Sequence, residues 1–320
     1  MKILITGGGG FQGSHLAKAL LDGGHTVSVL NTYSERSKEN LQPIINHINL
    51  IWGSITDREI VEKSVRGHDV VYHLAAHINV DESLKDPHIF YYSNVLGTAN
   101  ILEAVRRQPG TKLIYASTCE VYGDGHDLRS DESLNETAEL RPNSPYAASK
   151  AAADRLCYAY HKSFNVSVTI VRPFNIYGEH QKQGAFGALI PILTARAMRH
   201  EPLVVFGDGE ASRDYLHVSD AVQGYQLVLN NTSSLQGRAI NFASGANTKV
   251  KDIAAFIANK FSVPIVHGAA RPGEVSRFPA DISLAKSLGF VPRISIWEGI
   301  ERYLAWAKAH YAFGKESLTR

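Results

Sequence analysis

Short runs of apolar residues alternate with amphipathic segments through the first half of the chain. Each run is continuous rather than alternating, which is typical of parallel strands covered on both faces of a sheet. Segments of helical period separate the runs, so the chain predicts repeated strand–helix units and a doubly wound parallel α/β sheet. The predicted strands are Lys2–Thr6, Thr26–Asn31, Ile48–Trp52, Val70–His73, Lys112–Ala116 and Ser167–Val171.

Start signals mark three of the predicted helices. Two have the spacing of a capping box, and one is an N-cap followed by proline in the first turn. The residue pairs are Thr56 with Glu59, Ser295 with Glu298, and Ser144 with Pro145.

The pattern changes after about residue 172, where proline, glycine and isolated aromatic residues become more frequent. Short strand-like runs such as LVVFG separate longer helical segments there. We therefore expect a first domain over residues 1–172 and a smaller α/β lobe over residues 173–320, with some chain returning to the first domain. The predicted helices of this half are Gly187–His200, Val218–Leu229, Val250–Phe261 and Trp297–His310.

The composition and net charge of the chain exclude several classes of function. The chain has 320 residues, 44% hydrophobic and 20% charged, which is ordinary for a globular protein. A net charge of +2 without a basic stripe predicts neither nucleic acid nor a membrane as partner. A strand-like run from Lys2 leaves no room for a signal peptide, and two cysteines make no disulfide framework. We expect a cytoplasmic protein without a metal site.

The segment ITGGGGFQG places Gly7, Gly10 and Gly13 after the first predicted strand and at the start of a helix. Glycines there allow a tight turn and let the backbone approach a pyrophosphate at the helix N-terminus. A glycine triplet alone is a weak signal, but its place between strand and helix predicts dinucleotide binding and a Rossmann-type sheet.

The second predicted strand ends in Asn31, where an acidic residue usually binds the adenosine ribose diol. An amide can hydrogen-bond a hydroxyl, but it does not repel a 2′-phosphate as a carboxylate does. Arg36 and Lys38 follow closely as alternative phosphate partners, although solvated surface charges are the commoner role for such residues. We expect NAD rather than NADP.

Tyr146 and Lys150 lie four residues apart, on one face of the helix that Ser144 begins. Such a pair is common by chance. Together with the glycine turn and a Ser117-Thr118 pair at a strand end, it indicates a catalytic role. A lysine ammonium lowers the pKa of a nearby phenol. We therefore expect Tyr146 to act as a base that removes a hydroxyl proton while hydride leaves the same carbon.

These motifs resemble those of the extended short-chain dehydrogenase/reductase family, in its NAD-dependent nucleotide-sugar epimerase and dehydratase branch. The resemblance covers most of the chain, in order, and it implies a nucleotide-sugar substrate. It also implies a homodimer formed through the helices around residues 85–105 and 146–162. The segments are TGGGGFQG, HLAAH, SNVLGTANILEA, STCEVYG, YAASK, VRPFNIYG, VFGDGEASRDYLHVSD and RPGE.

The resemblance implies roles for individual residues. Oxidation at C4 of the sugar would use Thr118, Tyr146 and Lys150. The substrate would contact Asn175, Arg213 and Arg271 at its diphosphate, Phe206 at its base, and Leu189. The expected cofactor contacts are Gly7, Gly10, Phe11, Gln12, Gly13, Asn31, Ser54, Ile55, Leu74, Ala75, Ala76, Asn94, Ser117, Tyr146 and Lys150. Two positions depart from the family pattern, because relatives usually have aspartate for Ser54 and many have proline for Glu179.

Cys119 and Glu120 stand where 4-epimerases of the family tend to have small or apolar residues, and where dehydratases have Asp-Glu. A thiol, with a reference pKa of about 8.5, is already mostly protonated at neutral pH, whereas aspartate at about 3.9 is not. We therefore expect Glu120 to remove the C5 proton and Cys119 to protonate the departing 6-hydroxyl. The alternative is that Cys119 only fills space, as buried free cysteine often does.

These residues together predict an NAD-dependent nucleotide-sugar dehydratase. The thiol–carboxylate pair is similar to that of UDP-N-acetylglucosamine 5,6-dehydratases of tunicamycin-type antibiotic biosynthesis. That similarity implies UDP-N-acetylglucosamine as substrate, hydride return to C4 and a UDP-6-deoxy-5,6-ene sugar as product. The alternatives are a 4,6-dehydratase, a UDP-sugar 4-epimerase, a uronic-acid decarboxylase, and a nucleotide-sensing binding module on a catalytically dead dehydrogenase fold.

Overall fold

The computed structural model describes residues 1–123, 132–181, 188–270 and 277–311. The strands are β1 (Lys2–Thr6), β2 (Thr26–Asn31), β3 (Asn49–Trp52), β4 (Val70–His73), β5 (Lys112–Ala116), β6 (Val168–Pro173), β7 (Asn175–Tyr177), β8 (Leu203–Phe206), β9 (Ser212–His217), β10 (Ala239–Phe242), β11 (Asn247–Lys249) and β12 (Ile265–Gly268). The helices are α1 (Phe11–Asp22), α2 (Glu35–Leu41), α3 (Arg58–Val65), α4 (Val80–Lys85), α5 (Pro87–Phe90), α6 (Gly97–Arg106), α7 (Pro145–Phe164), α8 (Leu189–Met198), α9 (Val218–Asn230), α10 (Val250–Phe261), α11 (Ser283–Ser287) and α12 (Ile296–His310). Two 3₁₀ turns (Gln42–His47 and Cys119–Tyr122) and a π-helical turn (Tyr91–Leu96) complete the regular structure of these ranges.

Among the described residues, seven strands form one parallel sheet in the order β10-β6-β5-β4-β1-β2-β3. The strand order reverses between β1 and β4, which opens a crevice at the carboxyl ends of the central strands. Two smaller sheets, β11-β9-β7 and β12-β8, lie outside it. The predicted α/β fold with a doubly wound, Rossmann-type parallel sheet is confirmed.

Both faces of the sheet are covered, which explains why its strands are apolar throughout. In β1, Ile3 and Ile5 belong to the core that includes α1 and α9, whereas Leu4 belongs to the core that includes α3, α6 and α7. Cys157 of α7 lies in the second of these cores and is fully buried.

A third core lies within the second half of the chain and joins α8, α10 and α12 to β8 and β9. β10 instead pairs with β6 in the large sheet, so the chain after residue 172 contributes to that sheet as well. The division into two lobes at residue 172 stays a prediction. In the ranges that the structure describes, no helix combines the length and apolar character needed to cross a membrane.

The predicted starts of two helices are confirmed, and one is wrong. Ser144 Oγ accepts a hydrogen bond from Ala147 N (3.1 Å), and Ser295 Oγ accepts one from Glu298 N (3.2 Å). Thr56 does not cap α3, because the Asp57 carboxylate accepts from the N–H groups of the first turn and the Thr56 hydroxyl bonds to Ser54 instead. Gly187, the predicted start of another helix, lies outside the described residues.

Candidate active site

Two adjoining clefts open at the carboxyl ends of β1, β4, β5 and β6. The larger has a volume of about 750 Å³ and the smaller about 370 Å³. They share several wall residues, so ligands in the two clefts would meet there. The shared residues are Phe11, Gln12, Ala76, His77, Ile78, Ser117 and Tyr146.

The smaller cleft surrounds the glycine-rich turn between β1 and α1. Gly7 has φ +73°, and a Cβ there would stand 2.7 Å from the backbone nitrogen of Ala75. A Cβ on Gly13 would collide with the carbonyl oxygen of Gly7. No side chain caps α1, whose first residues line the cleft. The backbone of the turn packs closely, and the N-terminus of α1 has no side-chain cap. Both features suit the binding of a dinucleotide pyrophosphate.

Most of the predicted cofactor contacts line this smaller cleft. They are Gly7, Gly10, Phe11, Gln12, Gly13, Asn31, Ser54, Ile55, Leu74, Ala75, Ala76, Ser117, Tyr146 and Lys150. Their direct contact with the cofactor stays a prediction, but the structure brings them together around one space.

Asn94 lies outside the walls of both clefts, although its neighbour Ser93 lines the smaller one, and its contact with the cofactor stays a prediction. Its amide oxygen accepts from His77 N (2.8 Å), and its amide nitrogen donates to His77 O and to Ser149 Oγ (2.9 Å each). Asn94 is thus fully used in fastening the β4–α4 connection to α7, because a buried amide needs partners for both its ends.

Asn31 makes structural hydrogen bonds in addition to lining the smaller cleft. Its Oδ1 accepts from Gly9 N (3.0 Å), and its Nδ2 donates to Ser37 Oγ (3.0 Å). The amide therefore ties the end of β2 to the glycine turn. A carboxylate could accept from Gly9 but could not donate to Ser37.

The catalytic candidates follow β5, where the strand gives way to a 3₁₀ turn. Thr118 caps this turn by accepting from Glu120 N (3.2 Å). The turn places Cys119 and Glu120 on the wall of the larger cleft, together with Thr118 and Tyr146. The predicted group Thr118, Cys119, Glu120 and Tyr146 therefore converges on one space.

Tyr146 and Lys150 occupy the first turns of α7. Tyr146 is hydrogen-bonded to Thr118, yet burial raises the pKa of its phenol and the nearby Glu120 raises it further. The Lys150 ammonium donates to Ala116 O (2.5 Å) and lies 4.4 Å from the centre of the Tyr115 ring. The structure contradicts the predicted lowering of the Tyr146 pKa, because burial dominates at that phenol. Burial also lowers the pKa of Lys150, to about 8.

The adjacent thiol and carboxyl have unequal proton affinities. Burial raises the pKa of the Cys119 thiol well above its usual range, and the Glu120 charge adds to this shift. Burial raises the pKa of Glu120 as well, whereas the positive charge of Arg213 opposes it. The thiol is therefore protonated at neutral pH, and the carboxyl is the better proton acceptor of the two.

A buried ionic network lies behind the catalytic turn. Asp154 of α7, fully buried, accepts from Arg172 through Nε (2.9 Å) and Nη2 (3.0 Å), and from Ser117 Oγ (2.9 Å). Arg172 Nη1 donates to Tyr122 Oη (3.0 Å), and that hydroxyl donates to Asn241 Oδ1 (2.7 Å). These bonds hold both ends of the segment from Ser117 to Tyr122 and connect it to α7.

Breaking this network is expected to cost much stability. Arg172→Met should lower the free energy of unfolding by about 3–5 kcal/mol, because it leaves the Asp154 carboxylate buried without its main partner. Arg155 contacts the same carboxylate, but its side chain is 51% exposed, so Arg155→Met should change stability by about 1 kcal/mol or less. Urea denaturation of both variants checks this, and equal losses would contradict it.

The predicted substrate residues line the other end of the larger cleft. Asn175, Leu189, Phe206 and Arg213 all belong to its wall. Asn175 Nδ2 donates to Asp214 O (3.1 Å), and Phe206 is 38% exposed, leaving ring surface for a ligand. Arg271 lies outside the described residues.

Several wall residues of the larger cleft were not identified from the sequence as site residues. They are His77, Ile78, Asn79 and Glu82 of the β4–α4 connection, and His180 and Gln181 of the turn after β7. The residues of the β4–α4 connection directly follow a central strand, at the end of HLAAH, and ligands of this fold bind at such strand ends. Their position could therefore have identified them as site residues. Nothing local marks the second group.

The sheet, the glycine turn and the adjoining larger cleft define a dinucleotide-binding Rossmann-fold protein with space for a second ligand. The model of the NAD dependent epimerase/dehydratase family matches residues 3–243. The chain belongs to this family of enzymes, and NAD is its cofactor, as predicted.

Relatives with different reactions are equally similar to this chain. A putative UDP-glucose 4-epimerase of Methanocaldococcus jannaschii is 33% identical over 96% of this chain and 98% of its own. A dTDP-glucose 4,6-dehydratase of Streptomyces niveus is also 33% identical, over 98% of this chain and 94% of its own. The UDP-glucuronic acid 4-epimerase of Bacillus cereus, solved with UDP-glucuronic acid and NAD, superposes with a TM-score of 0.89 at 30% identity, covering 97% and 100% of the two chains. Overall similarity therefore does not choose between epimerase and dehydratase.

Proposed function

We propose that the protein is a UDP-N-acetylglucosamine 5,6-dehydratase. The observation that carries this proposal is the convergence of Cys119, Glu120 and Tyr146 on one cleft next to the cofactor cleft. An epimerase acting at C4 alone needs no second acid–base pair, whereas elimination of water needs a base at C5 and an acid at O6.

The first step is oxidation at C4. When bound, NAD⁺ supplies the hydride acceptor, and the hydride returns at the end of the cycle, to C4 for a 5,6-ene product. Tyr146 in its phenolate form removes the proton of the 4-hydroxyl, and the hydrogen bond from Thr118 lowers the pKa of the phenol against the effect of burial. Lys150, held against Ala116 and Tyr115, supplies the positive charge on the cofactor side of Tyr146.

The second step is loss of water across C5 and C6. The ketone at C4 acidifies the C5 proton, which Glu120 takes while the electron pair forms the C5–C6 double bond. The C6–O6 bond breaks, and the Cys119 thiol gives its proton to the departing oxygen. Glu120 ends protonated and Cys119 ends as thiolate, so one proton passing from Glu120 to Cys119 restores both groups.

The nature of the acid supports the 5,6-ene product over the saturated 4-keto-6-deoxy product. A thiol is a poorer hydrogen-bond donor than a carboxylic acid, and burial raises its pKa far above that of a carboxyl. Once Glu120 has passed its proton to the Cys119 thiolate, the acid that remains beside the alkene is the thiol, which is a weak acid for reprotonating C5. The uridine nucleotide and the N-acetyl group are proposed from the similarity of the Cys-Glu pair. The 4,6-dehydratase relatives make the 4-keto-6-deoxy product the second candidate.

Mass spectrometry of the product distinguishes dehydration from the other candidate reactions, whereas the two dehydration products are isomers of equal mass that NMR separates. We expect incubation with UDP-N-acetylglucosamine to yield a nucleotide sugar lighter by one water. A product of unchanged mass with inverted C4 would instead indicate an epimerase. Carbon dioxide release from a UDP-uronic acid would indicate a decarboxylase, and bound ligand without turnover of any UDP-sugar would indicate a binding module.

The pH dependence of the reaction is expected to follow Glu120. Because burial raises its pKa, the base becomes ionised only as pH rises through a value above the ordinary glutamate range, so kcat/KM should rise along an acidic limb there. Arg213 opposes the shift, so Arg213→Gln should move the limb to higher pH. If Arg213→Gln only weakened substrate binding, kcat/KM would fall at every pH and the midpoint of the acidic limb would not move. Arg302→Gln on the surface of α12 is the control, and an unmoved limb in Arg213→Gln would contradict this electrostatic role.

We also propose that the protein acts in the cytoplasm as a homodimer. Exposed apolar side chains on the helical segment 87–106 and on α7 support this, because monomers rarely expose such a group on adjacent helices. They include Ile89, Tyr92, Leu96 and Tyr158. Sedimentation should give a dimer for the wild type and for Val291→Arg, an exposed position outside these helices, but a monomer for Leu96→Arg. A monomeric wild type would contradict the proposal.

A further inference from the structure

The turn after β7 lies directly against α1, the helix that follows the glycine turn. Ser14 Oγ is hydrogen-bonded to His180 Nδ1 (3.0 Å), and His15 Nε2 is hydrogen-bonded to Glu179 O (3.0 Å). Ser14 and His15 belong to the first turns of α1, next to the glycine turn. The second half of the chain is thus fastened to the pyrophosphate end of the smaller cleft.

A third contact reaches the same turn from α2, the short helix that follows β2. Arg36 Nη2 donates to His180 O (2.8 Å), and Arg36 is also hydrogen-bonded to Tyr311. Arg36 and His180 line the larger cleft together with Phe11 and Gln12, which also line the cofactor cleft. We name Arg36, Glu179 and His180 the cofactor strap, because their contacts join α2 and the turn after β7 to the first turns of α1.

The strap is anchored by its neighbours. His180 has φ +65°, a left-handed conformation that a non-glycine residue keeps only where its surroundings impose it. Its ring lies 4.8 Å from that of His15 and 5.7 Å from that of Trp306. The Glu179 carboxylate lies 3.5 Å from His217 Nε2, a fully buried side chain. Residues from both halves of the chain therefore hold this turn in place.

We propose that Arg36 binds a phosphate oxygen of the NAD diphosphate and that the cofactor strap retains the dinucleotide between turnovers. A guanidinium has five N–H donors, and its fork geometry suits phosphate oxygens. The diphosphate lies at the N-terminus of α1 in folds of this type, and the strap contacts Ser14 and His15 in the first turns of that helix. Retention matters because a redox-neutral reaction needs the same cofactor molecule for oxidation and for the later reduction. The proposal depends on the NAD cofactor and not on which sugar is converted.

The test measures cofactor retention rather than turnover. The purified protein is loaded with radiolabelled NAD, chased with excess unlabelled NAD, and sampled over time. Arg36→Ala should release the label about ten- to hundredfold faster, the effect of losing one hydrogen bond to a charged group. Lys38→Ala, an exposed lysine of the same short helix α2, is the matched control and should release it within about twofold of the wild-type rate.

Two further variants keep the test independent of misfolding. Arg36→Lys keeps the charge but not the fork, so it should show a smaller acceleration than Arg36→Ala. His180→Gly keeps the backbone acceptor and permits positive φ, but it removes the contacts to Ser14 and His15, and it should also speed release. Wild-type release from Arg36→Ala would overturn the proposal. Weaker binding of UDP by Arg36→Ala in calorimetry, with NAD release unchanged, would assign Arg36 to the substrate diphosphate instead and equally overturn it.

Discussion

Glu120→Gln is expected to lower the rate of water elimination by about 10²–10⁴-fold, the usual contribution of a positioned general base. Glutamine keeps the shape of the side chain but cannot take the C5 proton. Oxidation at C4 depends on Tyr146 and should continue, so the variant should accumulate reduced cofactor when mixed with substrate. Absorbance of the reduced nicotinamide and product yield, measured together, check this.

The control for Glu120→Gln is another carboxylate on the wall of the same cleft. Glu82→Gln removes a negative charge from α4, on the wall of that cleft. It should leave the elimination rate within about threefold of wild type, since Glu82 has no part in the proposed proton transfers and substitutions outside such features have small effects. Equal losses in both variants would mean that charge alone, rather than proton transfer by Glu120, determines the rate.

Variants of Cys119 are expected to show whether its thiol acts as an acid or only fills space. Cys119→Ser keeps the size but offers a much weaker acid, so elimination should fall about 10²-fold or more. Cys119→Asp should retain elimination, because burial and Glu120 raise the pKa of a carboxyl there as they raise the pKa of the thiol.

The matched control for Cys119 is the other cysteine. Cys157→Ser replaces a buried thiol in the core between the sheet and α7, so it should lower stability rather than change the rate constant of elimination. Product formation under saturating substrate and thermal unfolding, measured for all three variants, distinguish the two effects. Wild-type elimination by Cys119→Ser would mean that the thiol is only a filler.

The large sheet was predictable because its strands carry a strong local signal. Strands buried on both faces are continuously apolar, and the predicted β1, β2, β4 and β5 have the bounds that the structure shows. Helix starts are less certain, since neighbouring residues compete for the same role. Asp57 caps α3 in place of Thr56 because its carboxylate reaches two N–H groups at once.

The site was predictable where its residues lie in one motif and not where they meet through space. The glycine turn, the Cys-Glu pair and the Tyr-Lys pair are local, and the structure brings them together. The pKa of Tyr146 depends on burial, which no motif encodes. Arg36 and His180 are 144 positions apart, so their hydrogen bond could be found only in the fold.

The most direct test of the proposed function is proton NMR of UDP-N-acetylglucosamine after incubation with the purified protein. The account predicts two vinyl methylene signals, from elimination across C5 and C6 with the C4 alcohol restored. A methyl doublet would instead identify a 4,6-dehydratase with an unusual acid. An intact hydroxymethyl group in a converted sugar would contradict dehydration and leave Cys119 without the role proposed for it.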